Sequence, residues 1–272
     1  MSARAGAATG TPIFDIHARL APRPGAVDTL LATMDGCGID RAAICSGGVI
    51  DLDRLARQIM TEGHIEDDAD NDAVLEACSS TAGRLLPFFF GNPHRGERPY
   101  REQVTGFRGL EISPAVHGVP LTDERTMALV EVAATAGHPV YVVCIGRRGC
   151  GARDLVALAQ TFPDTTFVLG HCGFIGIDVY SVDVVAPYPT ILAETSGCYA
   201  GVAGVAIERL GADRVLLGTE YPLQHPDVEL TKLRTLRLDA DTWERITWRN
   251  ACRLLGEPEH RIEPSTRETS HV

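Results

Sequence analysis

The chain has 272 residues and a formal net charge of -11, from 25 Lys+Arg against 36 Asp+Glu, with no basic cluster. That balance argues against nucleic acid or an anionic membrane surface as partner. With 44% hydrophobic and 22% charged residues it reads as a folded globular chain, and no run approaches the roughly 18 apolar residues of a membrane span.

Residues 1–11 are small and polar without a signal-like stretch, and 257–272 carry charge, Pro and Ser without period. Both read as flexible tails around one domain over 12–256. The eight cysteines include no C-x-x-C pair, which fits buried thiols in a reducing cytoplasm. From Ile13 onward, short apolar runs alternate with segments of helical period. Strands are expected at Ile13–Ile16, Ala42–Cys45, Leu85–Phe90, Gly109–Ile112, Val140–Cys144, Thr166–Leu169, Thr190–Glu194 and Val215–Leu217. Helices are expected at Val27–Cys37, around Asn71–Thr81, and at Tyr100–Val104, Asp123–Ala136, Arg153–Gln160, Ile177–Val185, Val202–Leu210 and Asp241–Leu255. The clearest is the fourth, with Thr122 or Asp123 as N-cap, Met127, Val130 and Ala134 on one face, and Gly137 as stop. Eight strands separated by helices predict a single (β/α)8 TIM barrel. The open doubly wound sheet is the rival, but no G-x-G-x-x-G follows the first strand. Ser46–Asp70, without clear structure after the second strand, would lie over the active face as a lid.

The first strand reads F-D-I-H-A-R, and strict alternation puts Asp15, His17 and Arg19 on one face. Unpaired charge in a core costs several kcal/mol or more, so partners are required. Barrel enzymes keep reactive groups at the C-terminal ends of their strands. Those ends offer His17, Arg19, Glu111, Cys144, His171, Glu194 and Glu220. Gly170 and Gly173 beside His171 permit close backbone approach. Each has a bland counterpart: His17 held structurally by Asp15, Glu220 as a cap or rim ion pair, Cys144 as an inert buried thiol. His94 and His117 sit in loops where turn roles outweigh catalysis, and His64 and His138 read as structural or surface residues.

These motifs together resemble the amidohydrolase superfamily, specifically the short amidohydrolase-related (amidohydrolase 2 type) barrels that include metal-dependent hydrolases, lactonases and decarboxylases. The likeness runs from F-D-I-H through Asn92-Pro93, G-F-R-G-L-E-I-S-P, H-P-V-Y-V-V-C, G-H-C-G, E-T-S-G and I-E-R-L-G-A-D-R-V-L-L-G-T-E-Y-P to R-N-A-C-R-L-L-G. It implies a divalent metal, zinc first, held by His17, His171 and Glu220 with Cys144 as a fourth ligand. The chain departs from the family set: Arg19 stands at the second position of H-x-H, Cys144 where the fifth strand brings His, and Glu220 where the eighth brings Asp. Glu111 and Ser113 stand where lysine and histidine are often found.

A guanidinium about 4 Å from a divalent ion costs on the order of 8 kcal/mol at an effective dielectric near 20, so a metal requires Arg19 to swing away. Two chemistries follow. In the first, a metal-activated water hydrolyses an amide- or lactone-type C-N or C-O bond in a small polar, carboxylate-bearing molecule. The second is a metal-free lactonase, decarboxylase or cyclase, with Glu220 and His171 as acid–base residues and Arg19 clamping the carboxylate. Glu111, Cys144 and Glu194 would meet the substrate with Arg19. A silent ligand-binding barrel is the reading from another class, and a homo-oligomer is left open.

Overall fold

The computed structural model describes residues 10–259, so most of both expected tails lies outside the described residues. Eight parallel strands run in sequence order: β1 Phe14–Leu20, β2 Arg41–Ser46, β3 Leu85–Gly91, β4 Gly109–Ile112, β5 Val140–Val142, β6 Phe167–Leu169, β7 Ile191–Glu194 and β8 Val215–Leu216. The seam between first and last closes through Ile16 N–H to the Leu217 carbonyl at 2.9 Å and Glu220 N–H to the His17 carbonyl at 2.8 Å. The result is the expected (β/α)8 barrel.

Around it lie α1 Ala26–Cys37, α2 Leu52–Thr61, α3 Asn71–Ser79, α4 Arg98–Gln103, α5 Pro114–His117 and α6 Glu124–Ala136. They are followed by α7 Ala152–Thr161, α8 Val179–Val185, α9 Ala200–Leu210, α10 Pro226–Thr235, α11 Ala240–Glu244 and α12 Asn250–Leu255, with a π turn over Arg245–Arg249 joining the last two. α6 starts at an Asp123 cap that accepts the Arg125 N–H and stops at left-handed Gly137. One apolar layer lies between strands and helices, including Ala18, Leu20, Ile44, Leu110, Val142 and Leu169. A second fills the barrel interior with Phe14, Ile16, Cys45, Phe88, Phe90, Tyr141 and Leu216, closed below by Trp248 and Leu255.

β1 overturns the simple alternation. Its register against β2 slips between Asp15 and Ala18, so Phe14 and Ile16 pack inside the barrel while Ala18 and Leu20 pack outside it. Such a bulge flips the parity of every later side chain. Asp15 is therefore parted from His17 and Arg19. Its carboxylate accepts the His17 N–H at 3.0 Å, the Thr219 N–H at 3.0 Å and the Thr219 hydroxyl at 2.5 Å, tying the bulge to the end of β8.

Ser46–Asp70 contains a ten-residue helix, α2, capped by Asp51. It is no loose flap: Gln58 Nε2 donates to the Ala115 and Val116 carbonyls, and Arg147 donates to Gln58 O and Gly63 O. The boundary expected at Glu257 also moves outward, since Glu257 pairs with Arg41 at 2.7 Å and Trp248 Nε1 donates to Glu259 O. All eight cysteines are free thiols, and no helix among the described residues is long and apolar enough to cross a membrane.

Candidate active site

At the C-terminal ends of the strands, β1 carries His17 and Arg19, β4 carries Glu111, and the segments after β6 and β8 carry His171 and Glu220. Two of these adopt left-handed backbone, His171 at φ 59° and Glu220 at φ 55°. Non-glycine residues rarely adopt it, at a cost of roughly 1–3 kcal/mol each, so the surrounding structure must over-determine both. Glycines make the room: a Cβ on Gly170 would lie 2.6 Å from the Tyr141 hydroxyl, and one on Gly218 would run into the Glu194 carboxylate.

The charged groups form a closed ring of alternating sign. Arg19 donates from Nε to Glu220 Oε1 at 2.8 Å and from Nη2 to Glu111 Oε1 at 2.7 Å. His17 completes it, with Nε2 at 3.2 Å from Glu111 Oε2 and Nδ1 at 2.5 Å from Glu220 Oε2. Burial alone would lower the His17 pKa, but Glu220 and Glu111 outweigh it and push it up to about 10. Burial likewise raises Glu111, and Arg19 and His17 pull it down to about 2. Glu220 is held well below the usual carboxylate range, the Arg19 and His17 charges overcoming its desolvation. Without an ion the ring is neutral, two cations against two anions.

A second network sets His171. Its Nδ1 lies 2.9 Å from Ser196 Oγ, whose hydroxyl donates to Glu194 Oε2 at 2.9 Å. Glu194 also accepts the Tyr141 hydroxyl at 2.6 Å, the His171 N–H at 3.1 Å and the Ser196 N–H. With Nδ1–H directed to Ser196, the lone pair of Nε2 faces Glu220 Oε2 at 3.9 Å. The Tyr141 ring stacks on His17, centroids 4.1 Å apart.

This arrangement fits a divalent ion. A His17 nitrogen, a His171 nitrogen and a Glu220 oxygen all lie within 4.8 Å of one another. His17 Nδ1 and Glu220 Oε2 are buried, and although 2.5 Å apart they are not aligned as a hydrogen bond, so neither has a hydrogen-bond partner. We read the contact as two donor atoms turned towards one point. Each imidazole directs its other nitrogen to an outer group, Glu111 or Ser196, the support that metal-binding histidines usually have. Arg19 does not swing away: it bonds the outer oxygen of Glu220 at 2.8 Å, its Nη2 lies 3.3 Å from His17 Nε2, and its charge is offset there by Glu111. Binding an ion would displace the His17 proton.

Cys144 is not in this donor group, which corrects its expected place as a fourth ligand. It lies on the cavity wall, its thiol pushed up by burial. Glu111 and Glu194 are both fully buried and absent from that wall, so the expected substrate contacts give way to bonds with the residues around them. The cavity above the ring has a volume of about 670 Å³. Arg19, His171 and Glu220 form its polar floor; Leu55 and Ile59 of α2, with Val116, Val143, Phe174 and Leu223, are among its apolar walls. Tyr141 and Ser196 are the functional positions sequence reasoning missed. A tyrosine inside an apolar strand and the serine of E-T-S-G were the available signals.

The amidohydrolase family model Amidohydro_2 matches residues 14–256. The chain belongs to the amidohydrolase family. No curated protein matches its sequence significantly. Among solved structures, this chain is similar to a 5-carboxyvanillate decarboxylase from Novosphingobium aromaticivorans, complexed with manganese and 4-hydroxy-3-methoxy-5-nitrobenzoic acid. That pair has a TM-score of 0.69 at 18% identity, covering 92% of this chain and 97% of that one. It is also similar to a 2,6-dihydroxybenzoate decarboxylase from Rhizobium (TM-score 0.65, 17% identity, 91% and 98% covered). A third is an amidohydrolase from Burkholderia multivorans with bound zinc (TM-score 0.68, 14% identity, 90% and 99% covered). At these identities the likeness speaks for the fold.

Proposed function

We propose that this member of the amidohydrolase family removes the carboxyl group of a carboxylic acid with an apolar body, by acid–base decarboxylation. The observation that carries the reading is the cavity itself: apolar walls over a floor whose side chains are Arg19, His171 and Glu220. It moves the expected substrate from a small polar molecule to one with a sizeable apolar body, because about 670 Å³ of mainly apolar space would leave a polar molecule's groups unpaired.

The partly exposed Arg19 guanidinium keeps N–H groups beyond those bonded to Glu111 and Glu220, and these hold the substrate carboxylate. Glu220, kept ionised by Arg19 and His17, is no proton store. His171 carries the proton of the step on Nε2, taken up there from water at the mouth, while Nδ1–H is held by Ser196. The C–C bond to the carboxyl breaks and its electron pair stays on the substrate carbon. Carbon dioxide leaves, and the proton passes from His171 Nε2 to that carbon. Water at the mouth restores the proton. The apolar walls favour the step because a concentrated carboxylate charge disperses as it proceeds. A divalent ion held by His17 and Glu220, with zinc suited to this donor set and manganese the alternative, would supply Lewis-acid polarisation at the floor.

Hydrolysis of an amide or lactone is the second reading, favoured by the three-donor group: His17, His171 and Glu220 would hold an ion able to supply water activation. A panel of aromatic and branched aliphatic acids, with matching amides and lactones, tests both. Release of labelled carbon dioxide from the acids, abolished in His171→Asn, is expected. Turnover of the amides or lactones with none of the acids would sink decarboxylation.

A further inference from the structure

We propose that Cys37, His225 and Asp227 form a second, peripheral site for a borderline divalent ion of the zinc type. Cys37 closes α1, His225 caps α10 and Asp227 stands in the first turn of α10. A thiol sulfur, an imidazole nitrogen and a carboxylate oxygen from these residues lie within 4.8 Å of one another. None lines the cavity above the His17–Glu220 ring, so the site is separate from the candidate active centre.

The donor chemistry is selective. A thiolate and an imidazole favour zinc or cobalt over magnesium or calcium, which prefer an all-oxygen shell. Without an ion, burial and then the neighbouring Asp227 carboxylate push the Cys37 thiol up to about 11. An ion would displace the thiol proton and leave a coordinated thiolate. The C-terminal end of α1 favours a cation while the N-terminal end of α10 opposes it. The thiolate and the Asp227 carboxylate together set the balance in favour of binding. His225 and Asp227 are both more than half exposed, so water completes the coordination.

Occupancy staples α1 to α10 at the start of α10. The turn just before it runs back to the floor of the cavity: Leu223 N–H donates to the Glu220 carbonyl at 2.9 Å, and Glu220 and Leu223 both line the cavity. An ion at the peripheral site therefore restrains the segment that carries Glu220. This inference does not depend on the reaction proposed above.

The test is a cobalt(II) titration of the full chain, followed by the near-ultraviolet charge-transfer band that thiolate-to-cobalt bonding produces. The three donors of the active centre include no sulfur, so the band reports this site. One equivalent of cobalt is expected to carry it and zinc to displace it. It should vanish in both Cys37→Ser and Cys37→Ala, and weaken at least tenfold in affinity in Asp227→Asn and His225→Ala. It should persist in Cys144→Ser. Zinc should raise the melting temperature of the wild type by more than that of Cys37→Ser, with circular dichroism confirming the fold of each variant. Absence of the band in the wild type, or its survival in folded Cys37→Ser or Cys37→Ala, overturns the proposal.

Discussion

Replacing Glu194 by glutamine changes few atoms and breaks the network behind His171. The wild-type carboxylate is fully buried and accepts from the Tyr141 hydroxyl at 2.6 Å, the Ser196 hydroxyl at 2.9 Å, the His171 N–H at 3.1 Å and the Ser196 N–H. Glutamine keeps one acceptor oxygen and turns the other into a donor. The hydroxyls can rotate, but the two backbone N–H groups face opposite carboxylate oxygens and cannot. Whichever way the amide is placed, one backbone N–H meets another N–H, an unsatisfied buried donor costing about 1–3 kcal/mol. With the charge assistance lost from the remaining bonds, we expect about 2–4 kcal/mol of destabilisation in urea unfolding. Turnover should fall at least tenfold, because nothing then fixes the Nδ1–H of His171 on Ser196. Glu194→Gln should also couple to Ser196→Ala in a double-mutant cycle by about 1 kcal/mol or more. Stability within about 0.5 kcal/mol of wild type, the usual range for surface changes, would refute the reasoning.

Three further outcomes follow from the same geometry. His171→Asn should keep the melting temperature near wild type, since asparagine tolerates the left-handed backbone, yet lose at least a hundredfold in turnover; equal loss of fold and function would assign His171 a structural role. Gly170→Ala should destabilise by about 1–3 kcal/mol and disturb the Tyr141–Glu194 bond, because its methyl would lie 2.6 Å from the Tyr141 oxygen; a neutral effect in denaturant melts would contradict this. Burial holds the His117 pKa below its ordinary value of 6.5, and Nε2 is buried without a partner. Above that value both states are neutral and the group contributes nothing; as pH falls through it the unfolded chain takes up the proton first, so stability drops. Unfolding midpoints between pH 7.5 and 5.5 should fall less in His117→Gln than in the wild type.

Much of the frame was legible because the barrel repeats one unit, an apolar strand followed by a helix of clear period. What escaped had local causes. α2 has a strong apolar edge in Leu52, Leu55 and Ile59, but most of it faces a cavity and solvent, so the stretch reads as polar loop. α10 begins at Pro226 with charges that fit a surface turn, and only its docking through buried Leu230 and Leu233 reveals a helix. In the site, His17, His171 and Glu220 converge as their strand ends imply. The bulge that sends Ile16 and His17 to the same side depends on Thr219 reaching Asp15 from the other end of the chain. No period in β1 encodes that. Cys144 sits at the expected height on the barrel, but short β5 ends at Val142, and the thiol joins the wall instead of the donor group.

At the proposed centre His17 and Glu220 hold a divalent ion beside His171, while Arg19 is bound to the outer oxygen of Glu220. Its most direct test is elemental mass spectrometry on untagged protein purified without added metal, using the Cys37→Ser variant so that the peripheral site is silent. About one equivalent of zinc or manganese per chain is predicted, lost in His17→Ala. Metal-free protein whose melting temperature does not rise when zinc or manganese is added would contradict it, leaving the Arg19–Glu111–His17–Glu220 ring as a complete charge cluster in its own right.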